Sequence, residues 1–193
     1  MEPLTTQAHR FVREALRPGD VVVDATAGNG HDTLFLAEIV GPKGRVYSCD
    51  IQPLAVARTA ERLHVAGHNN VTLWEMSHVE LTNRLPGELR GELGAVMWNL
   101  GYLPGGDKSI TTQRETTLLA VADLLDWLRP GGVCSILAYP GHPAGRAETD
   151  GISHWLQHLD ASRFSNNSPA ITPHPSPVHF QITRRQTGVV LPP

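Results

Sequence analysis

The sequence is short of several features, and each shortage excludes a class of protein. Its 193 residues contain 2 cysteines, which excludes a disulfide-rich scaffold and agrees with a reducing compartment. Cys49 and Cys134 fall inside predicted strands, where we expect small buried side chains. No apolar run is long enough to span a bilayer, and the N-terminus has no basic segment followed by an apolar one. We therefore expect a cytoplasmic protein that does not enter a membrane.

Positive charge is also scarce. The formal net charge is −3 at pH 7, and the isoelectric point is near 6.3. Proteins that grip long nucleic acids usually carry a broad basic surface. This chain has only local clusters, at Arg10, Arg13 and Arg17 and at 184–185. Any contact with RNA must therefore use a small patch.

What the chain does have is a regular alternation of strand and helix patterns. Strands are predicted over 21–25, 45–50, 71–75, 94–98, 133–139 and 178–183. Helices are predicted over 5–16, 32–39, 53–66, 77–85 and 145–159, and from 118 to a stop at Pro130-Gly131-Gly132. Such alternation implies right-handed crossovers and a parallel sheet covered on both faces. The predicted fold class is α/β, a doubly wound and mostly parallel sheet in a single domain of residues 1–193.

The end of the chain follows a different pattern. Residues 178–183 alternate like an edge strand, and the proline-rich segment 169–177 is predicted to be a loop.

The most informative segment is the first predicted strand together with the glycine-rich turn and helix start that follow it. Gly28 and Gly30 tolerate positive φ and let a small molecule lie against the main chain. The second strand ends about twenty residues later at Asp50, a spacing at which a carboxylate reaches ribose hydroxyls. The pattern predicts a cofactor that contains a nucleoside.

The same turn indicates which nucleoside cofactor binds. Thr33 stands where a dinucleotide fingerprint has its third glycine, and Asp32 would repel a phosphate at the start of the helix. The turn instead suits a ligand with an ammonium group. S-adenosylmethionine carries an ammonium, a sulfonium and a ribose, and it has no phosphate.

The whole phrase is similar to the first two motifs of the class I methyltransferases. It consists of Asp24, Gly28 and Gly30 in fixed spacing, followed by Asp50. Binding of an NAD-type cofactor is the competing interpretation. A turn whose glycines merely close a strand onto a helix is the structural alternative, and it leaves the polar Asn29 unexplained.

Ligands of such sheets gather beyond the carboxyl ends of the strands, and polar residues follow each predicted strand. His78 lies where these enzymes place a group beside the adenine ring, although a helix-capping segment would look the same. The candidate cofactor-binding residues are Asp24, Gly28, Asn29, Gly30, Asp32, Thr33, Asp50, Gln52, Ser77 and His78.

Asn99 and Tyr102 follow the fourth strand and carry the sharpest chemical signal. Amino-methylating enzymes place an Asn or Asp, two intervening residues and an aromatic here, so that the oxygen accepts a hydrogen bond from the target amine while the ring stacks on the base. Leu100-Gly101 replaces the usual Pro-Pro, which leaves the class of target open. A turn with Tyr102 packed in the core is the alternative. The same loop carries anion-binding groups at Lys108, Thr111 and Thr112.

Histidines after the fifth strand supply a further candidate. His142 is a candidate to take a proton from an ammonium, as histidines often do near neutral pH, or to bind substrate, although a lone histidine is more often structural. His154 and His158 have the i,i+4 spacing of a metal pair, but no third ligand accompanies them, so we expect no metal. The candidate catalytic residues are Asn99, Tyr102 and His142, and the candidate substrate-binding residues are Leu103, Lys108 and Tyr139.

These motifs together resemble the bacterial family of rRNA methylases, over residues 8 to about 160. The resemblance implies a class I methyltransferase fold that ends in an antiparallel hairpin, and S-adenosylmethionine as cofactor. Characterised members methylate the aminomethyl group of the tRNA wobble uridine, so the resemblance implies a tRNA anticodon stem-loop as partner. The segment 171–177 departs from the family pattern. The matching segments are 24–33, 50–52, 99–108 and 139–142.

Two other functions remain open. The acidic isoelectric point is consistent with a methyltransferase for a small molecule, and a cofactor-binding subunit without turnover would carry the same turn. The sequence leaves the oligomeric state open, a homodimer included.

Overall fold

The computed structural model describes residues 2–167, 169 and 176–186. In the described residues seven strands alternate with six helices. The strands are β1 Val21–Asp24, β2 Arg45–Asp50, β3 Val71–Glu75, β4 Leu93–Asn99, β5 Leu128–Ala138, β6 Phe164–Asn166 and β7 Val178–Arg184. The helices are α1 Leu4–Ala15, α2 His31–Val40, α3 Pro53–Ala66, α4 Leu81–Arg84, α5 Arg114–Leu125 and α6 Pro143–Leu156.

The strands form one sheet in the order β3-β2-β1-β4-β5-β7-β6. β1 to β5 pair in parallel, and β7 pairs antiparallel with both β5 and β6. The order reverses beside β1, because the chain moves outward through β2 and β3 and then returns to β4. Open sheets bind ligands at such a switch point. The predicted α/β fold with a terminal antiparallel hairpin is confirmed.

Apolar side chains cover both faces of the sheet. One face packs against α1 and α2 through residues such as Val12 and Leu36, and the other packs against α4 to α6 through residues such as Leu81 and Ile152. Val22 and Val23 of β1 are both fully buried and belong to opposite faces. Strands buried on both sides read as continuous apolar runs, and for this reason β1 and β4 were predictable.

The boundary between α5 and β5 differs from the prediction. The helical spacing continues to Leu128, but α5 ends at Leu125 and Leu128 already pairs with Leu93 in the sheet. The Pro-Gly-Gly segment therefore lies inside β5 instead of ending a helix. A Cβ on Gly132 would lie 2.7 Å from the Leu93 carbonyl oxygen, so the close strand contact requires glycine there.

The C-terminal hairpin also corrects the prediction in part. Residues 178–184 form β7, which lies between β5 and β6, so β7 is not an edge strand. The edge is β6, whose three residues are too few to show a periodic pattern. The loop predicted over 169–177 lies outside the described residues, apart from 169, 176 and 177.

Two local features position the site. Ser77 and Glu80 form a capping box at the short turn that precedes α4, which fixes the chain after β3. His142 caps α6, with its side chain accepting from the Gly145 N–H, so this helix begins two residues earlier than predicted.

No helix among the described residues is long and apolar enough to cross a membrane.

Candidate active site

A cavity of about 1000 Å³ opens at the carboxyl ends of β1 to β5. This volume is at the upper end of the usual range for small-molecule sites, about 300 to 1000 Å³. Most of the predicted site residues line it. They are Gly28, Asn29, Asp32, Asp50, Gln52, Ser77, His78, Asn99, Tyr102, Leu103, Lys108, Tyr139 and His142.

The glycine turn is tied to the end of β2 by one carboxylate. Asp50 Oδ2 accepts from the Gly28 N–H at 2.9 Å, and Oδ1 accepts from the Gln52 N–H at 2.9 Å. Gly28 has a φ of +54°, which glycine adopts without strain. Each carboxylate oxygen has a further lone pair, so Asp50 can still accept hydroxyl hydrogens from a ligand in the cavity.

Asp24, Gly30 and Thr33 do not line the cavity, although all three were predicted to bind the cofactor. Asp24 is 1% exposed, and its Oδ2 accepts from the Thr33 hydroxyl at 2.5 Å. Burial and the nearby charge of Asp32 raise the pKa of Asp24 to about 7. Gly30 packs against α3, where an added Cβ would lie 2.9 Å from Thr59. β1, α2 and α3 enclose these three residues, which therefore support the turn from the side away from the cavity.

Asp32 connects two parts of the site that are far apart in sequence. Its Oδ1 lies 2.6 Å from His9 Nε2, and its Oδ2 accepts from Asn99 Nδ2 at 3.3 Å. An ionised carboxylate can only accept, so the Asn99 amide nitrogen faces Asp32. Among the described residues, no donor lies on the Asn99 amide oxygen, which is therefore available as an acceptor at this end of the cavity.

His78 occupies the end of the cavity next to β3. Burial lowers its pKa to about 4, so the ring is neutral at pH 7. It packs edge-to-face against Trp98, with 5.1 Å between ring centroids. Its Nε2 is buried and has no hydrogen-bond partner among the described residues. A buried polar atom without a partner is costly, and a ligand in the cavity can satisfy it.

The rim of the cavity carries the residues predicted to meet the substrate. Tyr102 is 40% exposed, so it is not packed as a core residue. Lys108 Nζ lies over its ring, 5.4 Å from the centroid. Leu103 is buried below the rim, and its Cδ1 is 3.9 Å from the position that a Cβ on Gly28 would take. The aromatic face and the ammonium group are thus available at the entrance.

The loop that carries Asn99 and Tyr102 is anchored to a buried carboxylate. Glu148 on α6 accepts from the hydroxyls of Thr112 at 2.8 Å and Thr117 at 2.5 Å. Thr112 Oγ1 in turn accepts from the Gly101 N–H at 2.9 Å. Burial raises the pKa of Glu148 above its usual range. Thr112 was predicted as an anion-binding group, but its hydroxyl is already hydrogen-bonded to Gly101 and Glu148.

His142 faces the cavity in a defined tautomer. Its Nδ1 accepts from the Gly145 N–H at 3.2 Å, so in the neutral ring the hydrogen is on Nε2. Nε2 is buried without a partner among the described residues. With its hydrogen on Nε2, the ring can donate to an acceptor on a ligand, and it has no free ring nitrogen with which to remove a proton from a substrate. Tyr139 lines the same side, and burial together with the charge of Asp32 raises the pKa of its phenol.

Two residues in the site carried no local sequence signal. Arg58 Nη1 donates to Asn29 Oδ1 at 3.0 Å and to the Pro104 carbonyl at 3.2 Å, which joins the glycine turn to the 99–112 loop. His9 reaches Asp32 from α1. Both contacts join residues more than twenty positions apart, so only the folded chain shows them.

The described residues contain no group of three His, Cys, Asp or Glu side chains that could hold a metal ion. His154 and His158 lie side by side, with 4.8 Å between ring centroids, and His158 Nδ1 is 3.0 Å from the His154 carbonyl oxygen.

The cavity lining fits S-adenosylmethionine. Asp50 can receive ribose hydroxyls, and the unpartnered His78 Nε2 lies at the neighbouring strand end, where an adenine would follow the ribose. Asp32 places a carboxylate at the other side of the glycine turn, where an ammonium is favourable. Gly28 leaves the main chain open between them.

Comparison with known proteins identifies the family. The family model described as "Putative rRNA methylase" matches residues 46–182. The chain is also 39% identical, over 167 residues, to the tRNA (mnm(5)s(2)U34)-methyltransferase, chloroplastic, of Arabidopsis thaliana. That match covers 82% of this chain and 60% of the relative, so the chain spans about three fifths of the length of this relative.

Solved structures agree with the sequence comparison. A putative rRNA-methylase from Clostridium thermocellum superimposes with a TM-score of 0.87 at 34% identity, over 95% of this chain and 98% of its own. A putative methyltransferase from Streptococcus mutans in complex with SAH has a TM-score of 0.82 at 28% identity, over 95% and 99% of the two chains. The chain therefore belongs to the rRNA methylase family and is built as an S-adenosylmethionine-dependent methyltransferase.

Proposed function

We propose that this protein transfers a methyl group from S-adenosylmethionine to the aminomethyl group of the tRNA wobble uridine, converting 5-aminomethyl-2-thiouridine to 5-methylaminomethyl-2-thiouridine. The observation that carries the proposal is the orientation of Asn99. Asp32 holds its amide nitrogen, so its oxygen is available to accept an N–H of an amine.

That hydrogen bond gives Asn99 a role in orienting the nucleophile. When bound, S-adenosylmethionine supplies a methyl group on a positively charged sulfur. An amine that donates one N–H to Asn99 has its lone pair held in a fixed direction, toward the reacting carbon. Orientation of this kind can supply about 7 to 11 kcal/mol of the rate enhancement. An ammonium has no lone pair, so the amine must arrive neutral.

The rim residues support an RNA substrate that presents a single base. Tyr102 offers an exposed ring on which an unstacked base can lie, and Lys108 places one cation beside it. With a net charge of −3, the protein has no global basic excess for contacts along a duplex. An anticodon stem-loop meets these requirements because its loop bases can be splayed out.

The relatives support the same substrate class. The Arabidopsis thaliana relative is named for methylation of uridine 34 of tRNA, and its match covers 82% of this chain. The family description names rRNA instead, so ribosomal RNA is the competing RNA substrate.

The test uses two pools of tRNA and a labelled methyl donor. One pool comes from cells that stop at the 5-aminomethyl-2-thiouridine intermediate, and the other comes from cells unable to make the aminomethyl group. We expect label in the first pool only, because the second offers no amine at the wobble position. Equal labelling of both pools, or labelling of ribosomal RNA alone, would overturn the proposal.

A small-molecule methyltransferase is the second candidate, favoured by the acidic net charge. It predicts label in a low-molecular-weight amine and none in either tRNA pool. A cofactor-binding subunit without turnover predicts stoichiometric binding of the donor and no labelled product from total RNA.

A further inference from the structure

Among the described side chains, His9 on α1 makes the shortest polar contact with the cavity carboxylate Asp32, at 2.6 Å from Nε2 to Oδ1. α1 precedes the segment that the family model matches, which begins at residue 46. The side chain of His9 is partly exposed and that of Asp32 is nearly buried. The contact therefore reaches from the outer layer of helices into the wall of the cavity.

The ring of His9 is held in place by packing. It stacks on Phe35 of α2 with 3.7 Å between centroids and an interplanar angle of 8°. Arg13, one turn further along α1, lies over the same Phe35 ring at 5.3 Å. The stack fixes the plane of the imidazole, and in that plane Nε2 lies against the carboxylate.

The contact bears on the direction of Asp32. A ring nitrogen and a carboxylate oxygen at this distance share a hydrogen, and hydrogen bonds that involve a charged group are the short and strong ones. His9 and Asn99 take one oxygen each, and each oxygen keeps a lone pair for a ligand.

Asp32 is better placed than Asp50 to receive an ammonium. Asp50 lies at the end of β2, where its two oxygens accept from the Gly28 and Gln52 N–H groups and keep lone pairs for the ribose hydroxyls. Asp32 lies in the first turn of α2, on the other side of the glycine turn. The amino-acid part of the cofactor carries its ammonium at the opposite end from the adenine.

We propose that His9 is a positioning residue for the cofactor, which holds the Asp32 carboxylate oriented to bind the α-ammonium of S-adenosylmethionine. In this account α1 completes the cofactor site. The proposal rests on the cofactor assignment made above, but it does not depend on the identity of the RNA.

The test measures binding of two ligands that differ in the amino-acid part. S-adenosylhomocysteine carries the α-ammonium, whereas 5′-methylthioadenosine keeps the adenosine and the sulfur and lacks it. His9→Phe keeps a ring to stack on Phe35 and removes the nitrogen. Calorimetry should show a roughly tenfold or greater loss of affinity for S-adenosylhomocysteine, the usual scale for a hydrogen bond to a charged group. Affinity for 5′-methylthioadenosine should be unchanged.

Three further variants separate positioning from a general effect on the fold. Arg13→Gln disturbs the same cluster without touching Asp32, and both affinities should stay unchanged. Asp50→Ala should weaken both ligands, because both carry the ribose. His9→Gln loses the stack but retains an N–H that can reach Asp32, so it should recover much of the affinity that His9→Phe loses, and it serves as the test if His9→Phe does not fold.

A double variant tests whether the effect passes through Asp32. Once Asp32→Asn has removed the carboxylate, adding His9→Phe should cause little further loss, because the two residues act on one contact. The proposal is overturned if His9→Phe weakens both ligands equally, if it weakens neither, or if its effect adds fully to that of Asp32→Asn. No RNA is present, so failure of the wobble-uridine assignment leaves these results untouched. A wild-type protein that binds neither ligand would refute the cofactor assignment itself.

Discussion

Asn99 Nδ2 donates to Asp32 Oδ2 across 3.3 Å, from the end of β4 to the first turn of α2. This contact decides which end of the Asn99 amide faces the cavity. The contact also favours Asn over Asp at this position, although amino-methylating enzymes use either residue in the motif. A carboxylate in place of the amide would face a second carboxylate, with no donor between them.

We expect Asn99→Ala to lower kcat by roughly 10²-fold, the scale of losing one preorganised hydrogen bond in a transition state, with little change in affinity for S-adenosylhomocysteine. Asn99→Asp should also lose activity, and increasingly so at higher pH, because two carboxylates this close cannot both ionise at low cost. Steady-state kinetics across pH, paired with calorimetry, checks both variants. Full activity of Asn99→Asp at pH 8 would contradict the orientation of Asn99 described above.

The anchor of the 99–112 loop makes a separate prediction. Thr112→Val removes the acceptor of the Gly101 N–H and the donor to Glu148, so the loop should no longer hold Asn99 and Tyr102 in register. We expect a lower kcat and a higher KM for RNA, with S-adenosylhomocysteine binding unchanged. Ser109→Ala, an exposed position on the same loop, is the matched control and should behave as wild type. Equal kinetics for the two variants would show that the anchor has no role.

Asp24 predicts how stability depends on pH. Its pKa is raised from 3.8 to about 7, chiefly by burial and then by Asp32. The folded protein therefore binds more protons than the unfolded chain between about pH 4 and pH 7, and the contribution of Asp24 to stability falls as pH rises through that window. Asp24→Asn has no charge to bury. Its single amide oxygen can accept from only one of the two groups that donate to the Asp24 carboxylate, which are the Thr26 N–H and the Thr33 hydroxyl.

The melting temperature of Asp24→Asn relative to wild type should therefore rise as the pH is raised from 5 to 8. Thermal scans of the two proteins at matched pH values give this difference directly. A difference that stays constant with pH would mean that Asp24 titrates normally in the folded protein.

Tyr102 predicts how RNA is held at the rim. Tyr102→Ala should weaken RNA binding by about 1 to 3 kcal/mol, the usual value for one stacked base, whereas Tyr102→Phe keeps the ring and should bind nearly as wild type. Few cations at the rim also predict a shallow dependence of affinity on salt. Fluorescence anisotropy with an anticodon stem-loop measures both. A steep salt slope, or equal binding by Tyr102→Ala and wild type, would place the RNA elsewhere.

Local patterns were enough to predict the part of the fold that forms the glycine turn. Val21 to Val23 are apolar because β1 is covered on both faces, and the glycines that follow mark the turn. The boundary at Leu128 was not predictable, because this residue fits the helical spacing of α5 and also the sheet. β6 was missed because three residues carry no period.

The candidate site was predictable only where one segment supplies both the position and the chemistry. Asp50 and Asn99 could be recognised because each follows a strand directly. The support of Asp32 by His9 and the anchoring of Thr112 by Glu148 join residues 23 and 36 positions apart, and no spacing rule relates them. The motif predicted Asp24 as a ligand-binding residue, because its spacing does not reveal that the Thr33 hydroxyl already donates to the Asp24 carboxylate.

The central claim is that Asn99 directs the methyl group to the amine of a wobble uridine, and nucleosides from living cells test it most directly. tRNA from a strain that lacks this gene is digested and examined by mass spectrometry, after complementation with wild type, Asn99→Ala or Ser109→Ala. The account predicts that 5-aminomethyl-2-thiouridine accumulates in the deletion and with Asn99→Ala, and that wild type and Ser109→Ala restore 5-methylaminomethyl-2-thiouridine. Normal levels of the methylated nucleoside in the deletion strain, or full restoration by Asn99→Ala, would contradict it.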